Sequence, residues 1–529
     1  MTLQGFVRRA VRRGLPALVL APALAFRAAC GGGGGGGGSG TATGAGDVDP
    51  NNYSVASDGS MATPNENTSV THGTVTVGGN AIAYTATAGH MTANDSTGAP
   101  EASFFYVAYT QDAAAGAPPR PVTFFFNGGP GSASAWLHLG SWAPKRLVTG
   151  VPATTQAAPF PYVDNAESLI DTSDLVFVDA IGTGLSEAIA PHTNQDFWGV
   201  DADGAVFRDF VTRYLQVNQR TADRLFVYGE SYGTVRAPVL ARLLETAGVP
   251  VAGVILQSSI VNYNSNCSID LPSAPTVTCA GALPTYAAVG AYFDLVAPAP
   301  SDLASFLAQV RTYADGTYEP QTILWLDDGG PATPPVNGDV SGLVARTGLA
   351  SNFWDARYDM DYDTFRHNLI AGTVLGVYDG RMGALDGSAL AAEDDPSNTF
   401  VAQPFADAMN QTILPAVLGF TTPSTYVLTS DAIDHWNFTH GGQSLPDVVP
   451  DLAAAISLDP ALKILSIGGE HDLITPFHQT ELDLARLAAG APVTSHFYPG
   501  GHMVYLTDPT RPLMKADLVA FYAAATGAR

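Results

Sequence analysis

The sequence predicts an α/β fold, with a central, mostly parallel sheet and an inserted, mainly helical cap. Three observations predict it. Short, nearly all-apolar runs recur along the chain, helical patterns separate them, and between residues 262 and 395 this alternation lapses before resuming. An apolar run without polar alternation suits a strand covered on both faces, as in a parallel sheet flanked by helices.

The elements follow in order. Residues 74–77, 81–88 and 103–109 alternate and read as an antiparallel meander. Residues 122–126, 175–178, 224–228, 251–257 and 463–467 are short and mostly apolar, and with 494–498 read as strands of the parallel sheet. Helical patterns at 203–217 and 236–247 bracket the run at 224–228, and strand, helix, strand in succession marks a layered α/β arrangement. The stretch 262–395 has many prolines and helical pieces at 301–313 and 361–369, without clear strand alternation. It reads as a cap over the C-terminal edge of the sheet, where ligands bind in such folds. The catalytic body is then 69–261 together with 396–529.

Residues 1–30 read as an export signal. Arg8, Arg9, Arg12 and Arg13 precede an apolar run at 15–26 that is too short to span a bilayer and is interrupted by Pro16 and Pro22. Ala28-Ala29-Cys30, followed by a glycine run, resembles a bacterial lipoprotein signal in which Cys30 receives the lipid. Arg27 departs from that pattern by standing where an aliphatic residue is usual, so a secreted protein cut nearby is the alternative. The expected location is the periplasm or cell envelope. Residues 31–68, rich in Gly, Ser, Thr, Asn and Asp, read as a flexible tether. With Cys30 set aside, Cys267 and Cys279 remain as an even pair in an oxidising setting, and a disulfide is expected between them.

Lys and Arg number 24 against 49 Asp and Glu, for a formal charge of −25. Such a surface repels phosphate backbones, which argues against nucleic acid as a partner. Membrane contact is expected only through the N-terminal lipid.

The chemistry is carried by three stretches. Gly229-Glu230-Ser231-Tyr232-Gly233 follows an apolar run and precedes a helical pattern, the context in which G-x-S-x-G lifts a nucleophilic serine onto a sharp turn. Asp472 and His502 each lie just past a predicted strand, and the order Ser, Asp, His is that of the α/β-hydrolases. In this arrangement His502 takes the Ser231 proton, and Asp472 fixes the imidazole and supports its charged form. His471, adjacent to Asp472, reads as a surface residue or a supporting partner. Asn127-Gly128-Gly129-Pro130-Gly131 offers backbone N–H groups after another strand, and Gly129 and Tyr232 are the candidate oxyanion donors. That turn lacks the Lys-Ser/Thr of a phosphate-binding loop, and the cysteines have no metal-ligand spacing, so neither cofactor nor metal is expected.

Together N-G-G-P-G at 127–131, G-E-S-Y-G at 229–233 and G-H-M at 501–503 resemble the serine carboxypeptidase family, of the carboxypeptidase Y type. The segment 179–186 resembles that family's D-x-P-x-G-x-G-x-S run, and Asp472 with Thr475-Pro476 resembles its acid loop. The resemblance spans roughly residues 70 to 525. It implies an α/β-hydrolase fold with an inserted cap and removal of C-terminal residues from peptides, best at acidic pH. It also implies Ser231, Asp472 and His502 as the triad, and Asn127 and Glu230 as ligands of the substrate's terminal carboxylate. That contact requires a protonated Glu230, because two like charges in contact disfavour each other. The chain departs from the pattern in three places. Ser132 replaces a cysteine, Phe125 replaces a tryptophan, and Ser141 stands where a second acid is usual. Two further readings stay open at this level: an esterase or acyl hydrolase on the same triad, and an inert surface lipoprotein that binds peptides or sugars.

Overall fold

The computed structural model describes residues 48–112, 116–267 and 277–527. The export signal with Cys30 and the first part of the tether lie outside them. The sheet contains β1 (Thr68–Val77), β2 (Asn80–Asn94), β3 (Pro100–Gln111), β4 (Val122–Phe126), β5 (Asp174–Val178), β6 (Leu225–Glu230), β7 (Val251–Gln257), β8 (Lys463–Gly469) and β9 (Val493–Tyr498). Its spatial order is β1-β2-β3-β5-β4-β6-β7-β8-β9, and the pair Glu187–Ala188 adds to β3. The meander β1 to β3 is antiparallel and joins β5 antiparallel. From β5 to β9 every pairing is parallel.

Burial on both faces accounts for the apolar runs. Side chains alternate along a strand, so Phe124 and Phe126 enter one core while Phe125 enters the other. The first is closed by α2 (Val200–Val217) and α3 (Gly233–Thr246), through residues such as Phe207, Phe210 and Leu240. A short helix, α1 (Ala135–Gly140), and the C-terminal helix α8 (Arg511–Gly527) close the second, through Leu137, Met514, Leu518 and Tyr522. Each fully buried side chain of this size contributes about 1.5–3 kcal/mol.

The chain leaves the sheet at Gln257 and re-enters it at Lys463. Helices in this span, among them α4 (Leu283–Tyr292), α5 (Leu303–Tyr313) and α6 (Tyr362–Asn368), share a third apolar core. That core also takes in Leu473 and Phe477, beside the loop after β8. A two-stranded ribbon, Thr373–Leu375 with Gly383–Leu385, interrupts the helices, its strands too short for alternation to register in sequence. The excursion continues past residue 395, through a helix at Pro396–Ala408 and an irregular stretch, before α7 (Val449–Leu458) returns to the core beneath α3. Cys267 and Cys279 are bonded at its start, with Cα atoms 5.3 Å apart. Among the described residues no helix is long and apolar enough to cross a membrane.

Residues 48–67, which composition assigns to a flexible tether, are instead docked on the body. Asp49 is fully buried, and its N–H donates to the Thr421 carbonyl at 2.8 Å. Tyr53 donates to the Asp49 carboxylate at 2.6 Å and stacks on His90 with ring centroids 4.3 Å apart. The Asn194 amide donates to the carbonyls of Ser54 and Ala56. Polar residues that suit a solvated spacer serve equally well as hydrogen-bond partners for a surface, and composition does not separate the two. Tyr53→Ala removes the stack and one donor to a buried carboxylate, and should lower stability by about 2 kcal/mol. Urea unfolding tests this, and a midpoint unchanged from wild type would show the docking to be energetically idle.

Candidate active site

Asn127, Ser231, Asp472 and His502 lie just beyond the C-terminal ends of β4, β6, β8 and β9, strands that run parallel. One edge of the sheet therefore gathers residues that are distant in sequence, at the place where open α/β sheets bind ligands.

Ser231 sits at φ +59°, in the left-handed region. That conformation costs a residue with a side chain about 1–3 kcal/mol and persists only when its surroundings impose it. Here β6 precedes the serine and α3 follows it; the Ser231 N–H donates to the Gln257 carbonyl at 3.1 Å, and the Ser231 carbonyl accepts from Thr234 Oγ1 at 2.6 Å. The turn is too tight for neighbouring side chains. A Cβ on Gly229 would fall 2.0 Å from the Gly233 carbonyl oxygen, and one on Gly128 would fall 2.3 Å from the Tyr232 nitrogen. The glycine turn after β4 therefore rests directly against the serine turn, and α3 points its N-terminal end at the same space.

A buried ion pair fixes this junction. Arg236 on α3 makes a two-pronged contact with Asp203 on α2, at 2.7 and 3.2 Å, and donates its remaining nitrogen to the Asn127 carbonyl at 2.7 Å. Its guanidinium lies 4.5 Å over the Phe207 ring. Burial raises the Asp203 pKa, opposed by the Arg236 charge.

His502 and Asp472 form the second part of the site. His502 Nδ1 and Asp472 Oδ2 are 2.7 Å apart, with both side chains buried. The Asp472 carboxylate also accepts from the N–H groups of Ile474 and Thr475 at 3.1 Å, and from Thr475 Oγ1 at 2.5 Å. Burial alone would lower the His502 pKa, but the charge and hydrogen bond of Asp472, with the charges of Glu230 and Asp395, together outweigh it and the pKa is raised. The Asp472 contact occupies Nδ1 and leaves Nε2 for an external proton. Among the described residues no hydrogen bond joins His502 to the Ser231 hydroxyl. The cap grips the histidine from the other side, with the Tyr378 carbonyl accepting from the His502 N–H at 2.6 Å. His471 is not at the surface. It is buried against the cap, its pKa pushed down to about 3 by burial, and it stays neutral.

Glu230 lies buried beside the serine, between two amides. Asn127 Nδ2 donates to Oε1 at 3.0 Å and Gln257 Nε2 to Oε2 at 2.9 Å. Burial pushes its pKa up to about 7, partly opposed by His502 and increased by Asp472. The structure thus joins Asn127 to Glu230 and His502 to Asp472, and sets the turn with Gly129 against Tyr232. Ser141 is turned away, its hydroxyl donating to the Leu137 carbonyl at 2.5 Å.

Three contributors escaped the sequence. Arg236 and Asp203 fall within patterns that read only as helices, where a charged side chain passes for solvated. Gln257 ends an apolar strand, and a polar residue closing a run next to the strand that leads into Ser231 was the available signal. Asp363, His367 and Asp394 are close enough to share a cation. However, Arg366 already bridges Asp363 and Asp394 at 2.6 and 2.7 Å, so a resident positive charge balances the cluster.

The serine carboxypeptidase family model matches residues 78–254, a stretch that includes the Asn127 turn and Ser231. No curated protein matches the chain at a significant level. Among solved structures it resembles Kex1(Δp), a prohormone-processing carboxypeptidase from Saccharomyces cerevisiae, at 13% identity and a TM-score of 0.51, over 82% of this chain and 91% of that one. It also aligns with proline iminopeptidase from Mycobacterium smegmatis, at 16% identity and a TM-score of 0.35, over 84% and 100% of the two chains. A thermophilic esterase from Thermogutta terrifontis aligns at 13% identity and a TM-score of 0.35, over 82% and 99%. The fold is that of the α/β-hydrolases with a helical insertion, and over residues 78–254 the chain matches the serine carboxypeptidase family.

Proposed function

We propose that this protein is a serine-type carboxypeptidase that removes C-terminal residues from peptides through an acyl-enzyme on Ser231. The observation that carries this reading is the buried Glu230, cradled by amides next to the serine turn. Hydrolysis of a neutral ester has no use for an ionisable group there, whereas a protonated carboxyl can donate to a substrate's terminal carboxylate.

In this mechanism Ser231 Oγ attacks the last peptide carbonyl while His502 Nε2 takes its proton. Asp472 holds the imidazole through Nδ1 and supports its charge. The N–H groups of Gly129 and Tyr232 receive the developing oxyanion, each worth about 3–4 kcal/mol in the transition state. His502 then protonates the departing amino group, and water releases the acyl chain by the same route. The Ser231–His502 hydrogen bond forms on substrate binding, since such contacts are often long in the free enzyme.

Glu230 and His502 feel each other's charge, so they titrate as a pair. With one proton between them, the competent arrangement places it on Glu230 and leaves His502 neutral as the base. A second proton charges His502, and loss of the last leaves an anionic Glu230 facing the substrate carboxylate. Export with lipid attachment at Cys30, and action in the periplasm or cell envelope on peptides with a free C terminus, complete the proposal.

Ser231→Ala should lower kcat by a factor on the order of 10⁴–10⁶ and abolish labelling by a fluorophosphonate probe. Labelling that persisted in that variant would assign the nucleophile elsewhere. For an N-blocked dipeptide with a free carboxylate, kcat/KM should fall as pH rises through about 7, where Glu230 loses its proton. The amidated dipeptide should be a far poorer substrate without that fall, and Glu230→Gln should remove the fall for the free acid. A free-acid profile that stays flat or climbs between about pH 5 and 8 contradicts the role of Glu230.

A further inference from the structure

Glu230 is held by a chain of hydrogen bonds whose direction is fixed. Trp142 Nε1 lies 3.1 Å from the Tyr228 hydroxyl, which lies 2.5 Å from Gln257 Oε1. An indole N–H only donates, so the Tyr228 oxygen accepts from Trp142 and its proton goes to Gln257. That contact occupies the amide oxygen and turns the Gln257 nitrogen toward Glu230 Oε2. On the opposite side the Asn127 amide oxygen accepts from the Leu137 N–H at 3.0 Å, which turns the Asn127 nitrogen toward Glu230 Oε1. Neither amide can flip without leaving a buried group unpaired. Gln257, Tyr228 and Trp142 are all fully buried. The chain runs from α1's flank through β6 to β7 and does not involve Ser141, where the resemblance leads one to expect an acid.

We infer that Gln257 is the positioning residue of the terminal-carboxylate subsite, supplying by an amide the support that a second carboxyl would otherwise give, so that one carboxyl alone meets the substrate. This inference rests on the carboxypeptidase reading and deepens it. A Gln257 N–H contact suits either state of Glu230, because a carboxyl oxygen accepts from it whether or not the group carries a proton. A second carboxyl at that point would share a proton with Glu230 and hold it to higher pH through like-charge repulsion. The other titratable groups facing Glu230 are His502 and Asp472 from the loops after β9 and β8, Tyr228 on β6, and Tyr505.

The test uses the full chain and two variants, with kcat/KM measured across pH for an N-blocked free-acid dipeptide and its amide. Fluorophosphonate labelling of Ser231 reports that each variant keeps a working nucleophile. Gln257→Glu keeps the acceptor for Tyr228 and rebuilds a carboxyl pair. It should move the alkaline fall for the free acid upward by about one pH unit or more. Gln257→Leu removes the support and should lower the free-acid to amide ratio about ten-fold, mainly through KM, whereas Gln257→Glu should retain that ratio at acidic pH. An alkaline fall that stays in place in Gln257→Glu, or equal losses on acid and amide in Gln257→Leu, overturns the inference and leaves the carboxypeptidase reading standing. Equal rates on acid and amide in the wild type overturn the reading itself, and the inference with it.

Discussion

At the Ser231 turn two stretches of backbone approach so closely that no side chain can stand at Gly128 or Gly229. The rest of the site takes its position from that approach. It holds Ser231 in a left-handed conformation, brings the glycine turn after β4 against the Tyr232 nitrogen, and sets the start of α3 directly after the serine turn. The Arg236–Asp203 pair locks it from beneath, with Arg236 reaching the Asn127 carbonyl as well as its partner. A buried ion pair is worth little as a net source of stability, but removing one partner leaves an uncompensated charge. Its effect here is to tie two helices and the Asn127 turn into one rigid unit.

Around that unit the site is electrostatically economical. Asp472 is fully buried, and beside His502 its carboxylate accepts from two N–H groups and the Thr475 hydroxyl. Glu230 lies in the same dry environment, held by the Asn127 and Gln257 amides, and burial there favours its protonated form. Two carboxyl groups thus flank one imidazole, and Glu230 and His502 each feel the other's charge and that of Asp472. In a medium of low effective dielectric such interactions are stronger than they would be in water.

The insertion takes part in the site as well as covering it. The Tyr378 carbonyl holds the His502 N–H, the Gly380 N–H donates to the His471 carbonyl at 2.9 Å, and Arg381 joins Asp379 to Thr507. The loops carrying the acid and the histidine are therefore braced from two directions, by the sheet edge and by the cap. Gly501 has no room for a Cβ because the Tyr378 oxygen would lie 2.3 Å away, the same kind of close approach that shapes the serine turn.

Strand runs, the helices bracketing Ser231 and the positions of Ser231, Asp472 and His502 past strand ends were legible in the chain itself, because burial on two faces demands uninterrupted apolar residues and tight turns demand glycine. The same local signals failed where a residue's meaning depends on what faces it. Arg236 and Asp203 look solvated within a helical pattern and prove buried, since each neutralises the other across two helices. Residues 48–67 look like a spacer and prove docked, since polar side chains pair with a surface as readily as with water. Gln257 is one polar residue at the end of an apolar run, until parallel pairing of β7 with β6 sets it opposite Glu230. Local sequence determined which elements form and which groups could react. Only the tertiary structure decided which buried charges are compensated and that burial pushes Glu230 toward its protonated form, because those depend on distances between residues far apart in the chain.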